Sequence, residues 1–217
     1  IVSHLRSLQF EVRCGRAVIH PDFVMGRDPH LVAEAVARAK RQGVSEELLS
    51  ELDDFTGAVG IWDSGRPGPV TAFRFDIDCV QVGETSDPAH EANAGGYASE
   101  RPNLMHACGH DGHLAVGLGV AQWIKDHADQ LCGKIKLVFQ PAEEGTRGAR
   151  PMAESGILDD VDFIVCTHIG SSVPLHQVAV CTHGYLATTK LDIYFEGVPA
   201  HAGANPEKGR SALMAAC

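Results

Sequence analysis

The sequence predicts an α/β fold in which a mainly parallel sheet is covered by helices on both faces, giving three layers. Three observations carry that prediction. Near-continuous apolar runs at 59–62, 69–76, 135–140 and 163–167 read as strands buried on both sides. Stretches with helical spacing, at 28–42, 111–127 and 149–155, alternate with them. Acidic and histidine residues, among them Asp76, Asp78, Glu143, Glu144 and His168, fall at or just beyond strand ends, and open α/β sheets keep their sites beyond the carboxyl ends of their strands.

Taken in order, Ile1, Val2, Leu5 and Leu8 follow helical spacing without a preceding cap, and short strands are expected at 10–12 and 17–19. Asp28-Pro29 opens a helix that places Leu31, Ala35, Val36 and Ala39 on one face and that Gly43 ends. Ser45 caps a second, short helix whose first turn carries Glu46 and Glu47, favourable toward a helix N-terminus. After the strands at 59–62 and 69–76 comes a polar, Gly-rich stretch without period, 83–105, expected as a long loop of the kind that more often serves function than not. Asp111 is expected to cap a helix to about His127, with Leu114, Leu118, Ala121 and Ile124 on its core stripe. Strand 135–140, a Glu143-Glu144-Gly145 turn, helix 149–155 and strand 163–167 follow.

From Val178 the character changes to Thr-rich alternation, Lys190 to Glu196 reads as a strand with one buried face, and a second domain is expected to start near Ala187. Asn205-Pro206-Glu207 opens a further helix that reaches Cys217 without a stop signal. Both ends read as cut, so the chain is expected to be a piece of a longer protein.

Composition narrows the function. At 217 residues, 44% hydrophobic and 21% charged, the chain lies in the globular range. A formal charge of −10 with no Lys/Arg cluster opposes nucleic-acid backbones and anionic membrane surfaces, which points to a small-molecule ligand. No apolar stretch reaches about 18 residues and no signal-peptide pattern is visible. Seven scattered cysteines (Cys14, Cys79, Cys108, Cys132, Cys166, Cys181, Cys217) sit mostly in apolar runs, and a reduced, cytoplasmic setting is expected.

The chemistry concentrates in His106-Ala-Cys-Gly-His-Asp-Gly-His113, Gln140-Pro-Ala-Glu-Glu-Gly145 and Cys166-Thr-His168. A thiolate, imidazoles and a carboxylate form a ligand set for zinc or manganese-like ions, and a second carboxylate beside them suits proton transfer. Cys108 and His110 share a turn that glycine keeps open, and His106 and His113 compete for the same role, with packing or support of the ligands the better reading for those two. Glu143 and Glu144 are adjacent, and Gly145 is expected to allow the turn that brings both into one pocket. Asp76 and Asp78 share a strand face and suit either orientation of a histidine or a strand-ending acidic turn. His168 is a lone strand-end histidine that gains meaning from the other motifs, and His201 is by itself best read as a turn histidine.

Together these residues resemble the metallopeptidase superfamily of aminoacylases and carboxypeptidase G, in the amidohydrolase branch that includes auxin-conjugate and hippurate hydrolases. The motifs are Met105-His-Ala-Cys-Gly-His-Asp-Gly-His113, Phe139-Gln-Pro-Ala-Glu-Glu-Gly-Thr-Arg-Gly-Ala-Arg150, Thr167-His-Ile-Gly170 and Ala200-His-Ala-Gly203, with a helical insertion at about 28–54. The resemblance implies a catalytic domain over 1–187 and, over 188–217, the beginning of an inserted α+β ferredoxin-like lid that mediates dimerisation, as a homodimer or with a related subunit. It implies two divalent metals, manganese favoured and zinc the alternative, held by Cys108, His110, Glu144 and His168. It also implies Glu143 as general base, Asp78 as the orienting residue and His201 as the lid histidine that reaches a partner subunit's active site and stabilises the oxyanion. The expected reaction is hydrolysis of an N-acyl or N-aroyl amino acid, with p-aminobenzoyl-glutamate the favoured substrate; the alternatives are a broader N-acyl-amino-acid, auxin-conjugate or hippurate-type amidohydrolase and a non-catalytic metal-binding subunit. Arg147 and Arg150 are candidates for the substrate carboxylate, although a helix-surface role suits each arginine better. The family's last metal-binding histidine would lie beyond Cys217. Departures are Phe73-Arg-Phe-Asp-Ile-Asp-Cys-Val80, where small residues are usual, and Leu114, where Thr is common.

Overall fold

Five strands hydrogen-bond into one mixed sheet in the computed structural model, which describes residues 1–170, 173–180, 187–189, 191 and 193–217. They are β1 (Glu11–Cys14), β2 (Ala58–Asp63), β3 (Val70–Asp76), β4 (Lys134–Gln140) and β5 (Phe163–Cys166), in the order β1-β2-β4-β3-β5. β3 lies parallel to both β4 and β5, whereas β2 runs antiparallel to β4 and to β1. The register sets Asp76 opposite Gln140 and Arg74 opposite Cys166, so the three parallel strands end close together. Segments carrying Asp78, Glu143-Glu144 and His168 therefore leave from one sheet edge, as the strand-end rule requires.

Alternation along β4 sends Leu137 and Phe139 into one core and Val138 into the other. The first core packs Leu5 of α1 (Val2–Ser7) and Ala121 and Ile124 of α5 (His110–Asp126) on Phe75, Leu137 and Phe139. The second gathers Val18, Ile19, Val59, Ala72, Met152 and Ile157 around Val138 on the opposite face. α5 approaches closely because its core line includes Gly117, where a Cβ would lie 2.7 Å from Phe139 Cε1 and 2.9 Å from Phe75 Cδ2. The buried line of α5 is thus His110, His113, Gly117, Ala121 and Ile124, and the expected Leu114 and Leu118 are only half-buried. Coverage stops at β5, where Phe163 is 62% exposed and Ile164 52%. Among the described residues the two cores, one on each face of the sheet, lie over β1 to β4.

Local signals fixed the helices of the insertion. Asp28 Oδ1 accepts from His30 N at 2.8 Å to start α2 (Pro29–Arg41), and Ser45 Oγ accepts from Leu48 N at 3.2 Å to start α3 (Glu46–Leu52). The apolar face of α2 has no fully buried residue. The stretch 83–105 is tied at its base by mutual Val80–Met105 hydrogen bonds of 3.0 and 3.2 Å and carries a one-turn helix, α4 (Glu91–Gly95). A short helix α6 (Ala149–Ala153) follows β4.

Two further expectations change. The strand at 17–19 is absent: Gly15–Ala17 is a 3-10 turn, and β1 takes β2 as its partner. Gly15 lies at φ +59° against Leu52, where a Cβ would come 2.1 Å from the carbonyl oxygen, so the chain turns there instead of pairing back. Asp111 is not the cap of α5; the cap position is Gly109, in the left-handed region at φ +82°, and Asp111 sits in the first turn, still favourable to the helix dipole.

The chain divides into two compact units, Ile1–Gln177 and Val178–Cys217. Within the second, Val198 and Arg210 form an antiparallel bridge, Pro206–Lys208 is a 3-10 turn, and α7 (Ala212–Ala216) begins where Ser211 Oγ accepts from Met214 N at 3.1 Å. The helix expected from Asn205 therefore starts later. The strand expected over 190–196 includes Lys190 and Asp192, which, like Cys181, lie outside the described residues. Among the described residues no helix is long and apolar enough to cross a membrane.

Candidate metal centre

His110 is fully buried, and its ring is fixed by the backbone of the strand end beside it. Nδ1 donates to the Asp78 carbonyl oxygen at 2.8 Å. A carbonyl can only accept, so Nδ1 carries a proton and Nε2 is the nitrogen through which the ring can ligate. That Nε2 has no hydrogen-bond partner, yet it lies 3.6 Å from Asp76 Oδ2, 3.7 Å from Glu143 Oε2 and 3.9 Å from Glu144 Oε1. His168 repeats the arrangement: its Nδ1 donates to the Ile169 carbonyl at 2.8 Å, and its Nε2 lies 3.5 Å from Cys108 Sγ.

Asp78 holds the paired glutamates from below. Its two carboxylate oxygens accept from the backbone N–H groups of Glu143 at 3.0 Å and Glu144 at 3.1 Å. The turn itself does not use Gly145 as expected. Its left-handed residues are Ala142 (φ +55°) and Thr146 (φ +54°), and it closes through Arg147 N and Gly148 N donating to the Ala142 carbonyl at 3.1 and 3.0 Å. Gly148 is the residue the turn requires, since a Cβ there would lie 1.6 Å from the Pro141 oxygen.

His113 spends both ring nitrogens. Nδ1 donates to Asp76 Oδ1 at 3.1 Å, and Nε2 accepts from Ile169 N at 2.8 Å. Burial lowers its pKa from the usual 6.5, with Asp76 opposing. Arg74 completes the network, pairing through Nη1 with Asp76 Oδ2 at 2.9 Å and donating from Nε to Gln140 Oε1 at 2.9 Å. Arg74 was missed as a site residue; a cation two residues before Asp76 on the same strand face was the available signal. His106 lines a separate cavity of about 260 Å³ with Glu84, Tyr97 and Arg101.

The donor atoms of Cys108, His110 and Glu144 lie within 4.8 Å of one another, as do those of Asp76, His110, His113 and His168. His113 has no nitrogen to offer, so the available set is one sulfur, two imidazole Nε2 and carboxylate oxygens. Burial pushes the Cys108 thiol up, and Glu144, Glu143 and Asp76 act in the same direction. Three carboxylates crowding the unpartnered Nε2 fit a divalent cation, which would offset their repulsion and accept a lone pair from the ring. Of the two arginines, Arg150 is exposed on α6, over the Phe23 ring at 4.8 Å, while Arg147 precedes the helix and is half-buried. His201 belongs to the second unit, where its Nδ1 accepts from Gly203 N at 3.2 Å and Ala204 N at 3.1 Å, leaving Nε2 as the protonated nitrogen.

Comparison with known proteins places this geometry. The pattern of peptidase family M20/M25/M40 matches residues 72–216. The chain is 49% identical over 217 residues to a p-aminobenzoyl-glutamate hydrolase subunit homolog of Haemophilus influenzae, covering 100% of this chain and 51% of that protein. It is 48% identical over 218 residues to the indole-3-acetyl-aspartic acid hydrolase of Enterobacter agglomerans, covering 100% of this chain and 50% of that protein. The crystal structure of an aminobenzoyl-glutamate utilization protein from Klebsiella pneumoniae superposes with a TM-score of 0.75 at 41% identity, covering 99% of this chain and 48% of the other. The chain thus spans about half the length of the relatives it matches.

Proposed function

The chain belongs to peptidase family M20/M25/M40, and from that premise we propose that the whole protein is a metal-dependent amidohydrolase that cleaves p-aminobenzoyl-glutamate to p-aminobenzoate and glutamate. The observation that carries the reading is the buried, unpartnered His110 Nε2 within 4 Å of both Glu143 and Glu144. Cys108, His110, Glu144 and His168 are the residues that would hold two divalent ions. Manganese is the ion the family resemblance favours and zinc the alternative, since the carboxylates suit the first and the thiolate and imidazoles the second. When bound, the ions supply Lewis acidity, lowering the pKa of a water and offsetting charge on the amide oxygen.

Glu143, left over from ligation, takes the proton of the attacking water on its carboxylate and returns it to the departing amide nitrogen. Asp78 is the positioning residue for this step, since it grips the backbone of both glutamates. His201, whose Nε2–H is left to donate, serves as the histidine that reaches the active site of a partner subunit and stabilises the oxyanion there. Residues 188–217 begin the lid and dimerisation domain, and the protein works in the cytoplasm as a homodimer or with a related subunit. The Haemophilus relative is named for one subunit of its hydrolase, which supports an assembly of more than one chain.

A second reading, hydrolysis of an auxin conjugate, draws support from the 48% identity to the indole-3-acetyl-aspartic acid hydrolase. The test uses the full-length protein, stripped by chelation and reloaded with manganese or zinc, against p-aminobenzoyl-glutamate, indole-3-acetyl-aspartate and hippurate. Restored turnover with p-aminobenzoyl-glutamate the best substrate supports the first reading. A preference for the indole conjugate replaces it with the second, and metal-loaded protein inert toward all three overturns both.

A further inference from the structure

A cavity of about 280 Å³ opens between the insertion and the glutamate turn. Its walls are mainly apolar, with Ile19, Val24, Met25, Val32, Phe55 and Pro151 among them, and its charged residues are Arg27, Asp54 and Arg147. Arg27 is already committed: it donates to the Asp54 carbonyl at 3.1 Å, lies 4.0 Å from Asp54 Oδ2 and covers the Phe55 ring at 4.5 Å. Arg147 is not. Its Nε is buried without a hydrogen-bond partner, and no carboxylate among the described residues forms an ion pair with it. The guanidinium is laid against Gly26, at φ +67°, where a Cβ would fall 1.7 Å from Nη1.

A half-buried guanidinium whose buried Nε donor is unmet is costly, and its planar fork matches a carboxylate in bidentate geometry. Apolar walls converging on one unspent charge suit a small amphiphilic anion. Pro141, Ala142 and Gly148, which belong to the turn carrying Glu143 and Glu144, form one side of the cavity. We infer that this cavity is a subsite for an organic carboxylate with an apolar body of about one ring, its carboxylate seated on Arg147. The carboxylate comes either from the amide substrate, in which case the inference rests on the hydrolysis proposed above, or from a free acid that acts as a separate effector.

The test is calorimetric titration of benzoate into full-length, metal-free protein, which removes coordination to metal as a source of binding. The expected result is saturable binding that weakens at least tenfold in Arg147→Met, while Arg150→Met binds as the wild type does. Equal affinity in wild type and Arg147→Met, or no binding to the wild type, overturns the inference. Should Arg147→Met fail to fold, Val32→Glu places a carboxylate in the same cavity and is expected to abolish binding; unchanged binding there is equally fatal. In the metal-loaded enzyme, competitive inhibition by benzoate assigns the subsite to substrate and noncompetitive inhibition assigns it to an effector. If hydrolysis is never observed but benzoate binding still depends on Arg147, the subsite stands and the proposed activity falls.

Discussion

His113 donates a hydrogen bond from Nδ1 to Asp76 Oδ1 at 3.1 Å, with both side chains withdrawn from solvent. The bond orients the imidazole so that Nε2 accepts from Ile169 N, the residue directly after His168. Arg74 braces the other oxygen of Asp76. A chain of contacts therefore runs from the end of β3, through α5, to the segment that carries His168, and it fixes that segment without drawing on Cys108, His110, Glu144 or His168. Removing an outer-shell partner of this kind typically costs about 10–100-fold in metal affinity. His113→Leu in the full-length protein is expected to weaken metal binding by about that factor, read by competition with a chelating dye. Wild-type affinity in a folded His113→Leu variant would remove His113 from any role in holding the site.

The two glutamates are expected to separate by experiment. Glu143→Gln keeps the metal content and loses about 10²–10⁴-fold in kcat, the usual worth of a general base. Glu144→Gln loses metal as well as turnover, read by elemental analysis of the dialysed protein. A Glu143→Gln enzyme of wild-type kcat would exclude the proton-transfer role assigned to it.

Asp78→Ala leaves the backbone N–H groups of Glu143 and Glu144 without their acceptor. Unmet buried donors cost about 1–3 kcal/mol, and the partial exposure of this turn keeps the sum near the lower end. The expected outcome is a modest fall in denaturation midpoint together with a large fall in kcat, because the turn that aims Glu143 loosens. Asp78→Asn retains one acceptor and is expected to fall between. A variant that loses stability but keeps kcat would reduce Asp78 to a structural residue.

The contrast between Asp78 and Gly145 shows what could be read in advance. Strand-end acids announce themselves because an apolar run, its end and the next polar residue are all local, and the parallel register then gathers them without further information. Helix caps at Asp28 and Ser45 were legible for the same reason. The mechanism of the glutamate turn was not, because what shapes it is the approach of Gly148 to Pro141 and the grip of Asp78 from 65 residues away. Gly15 against Leu52 and Gly117 against Phe75 and Phe139 are likewise tertiary contacts that no local pattern displays. His113 sits between: the motif gave its position and a supporting role, and only the structure gave its two partners.

Lys136 offers a test of stability away from the site. It lies on β4, almost fully buried, and its ammonium donates to the Ile157 carbonyl at 2.6 Å and to Asp160. The Asp160 carboxylate is half-exposed, and its hydrogen bond to Lys136 holds its pKa below the usual 3.8. A carboxyl whose folded pKa is depressed contributes stability that is present above the unfolded value and is lost as the pH falls through the folded value. Asp160→Asn leaves a buried ammonium short of its counter-charge, so at neutral pH it is expected to destabilise the fold by about 1–2 kcal/mol, discounted for the exposure of the acid. As the pH falls below 3.8 and through the lower folded value, the wild-type carboxyl also becomes neutral, and the difference between the two proteins should close. Urea denaturation of both proteins across that range measures it. A gap that stays constant with pH would show that Asp160 acts through packing or its neutral hydrogen bonds and not through its charge.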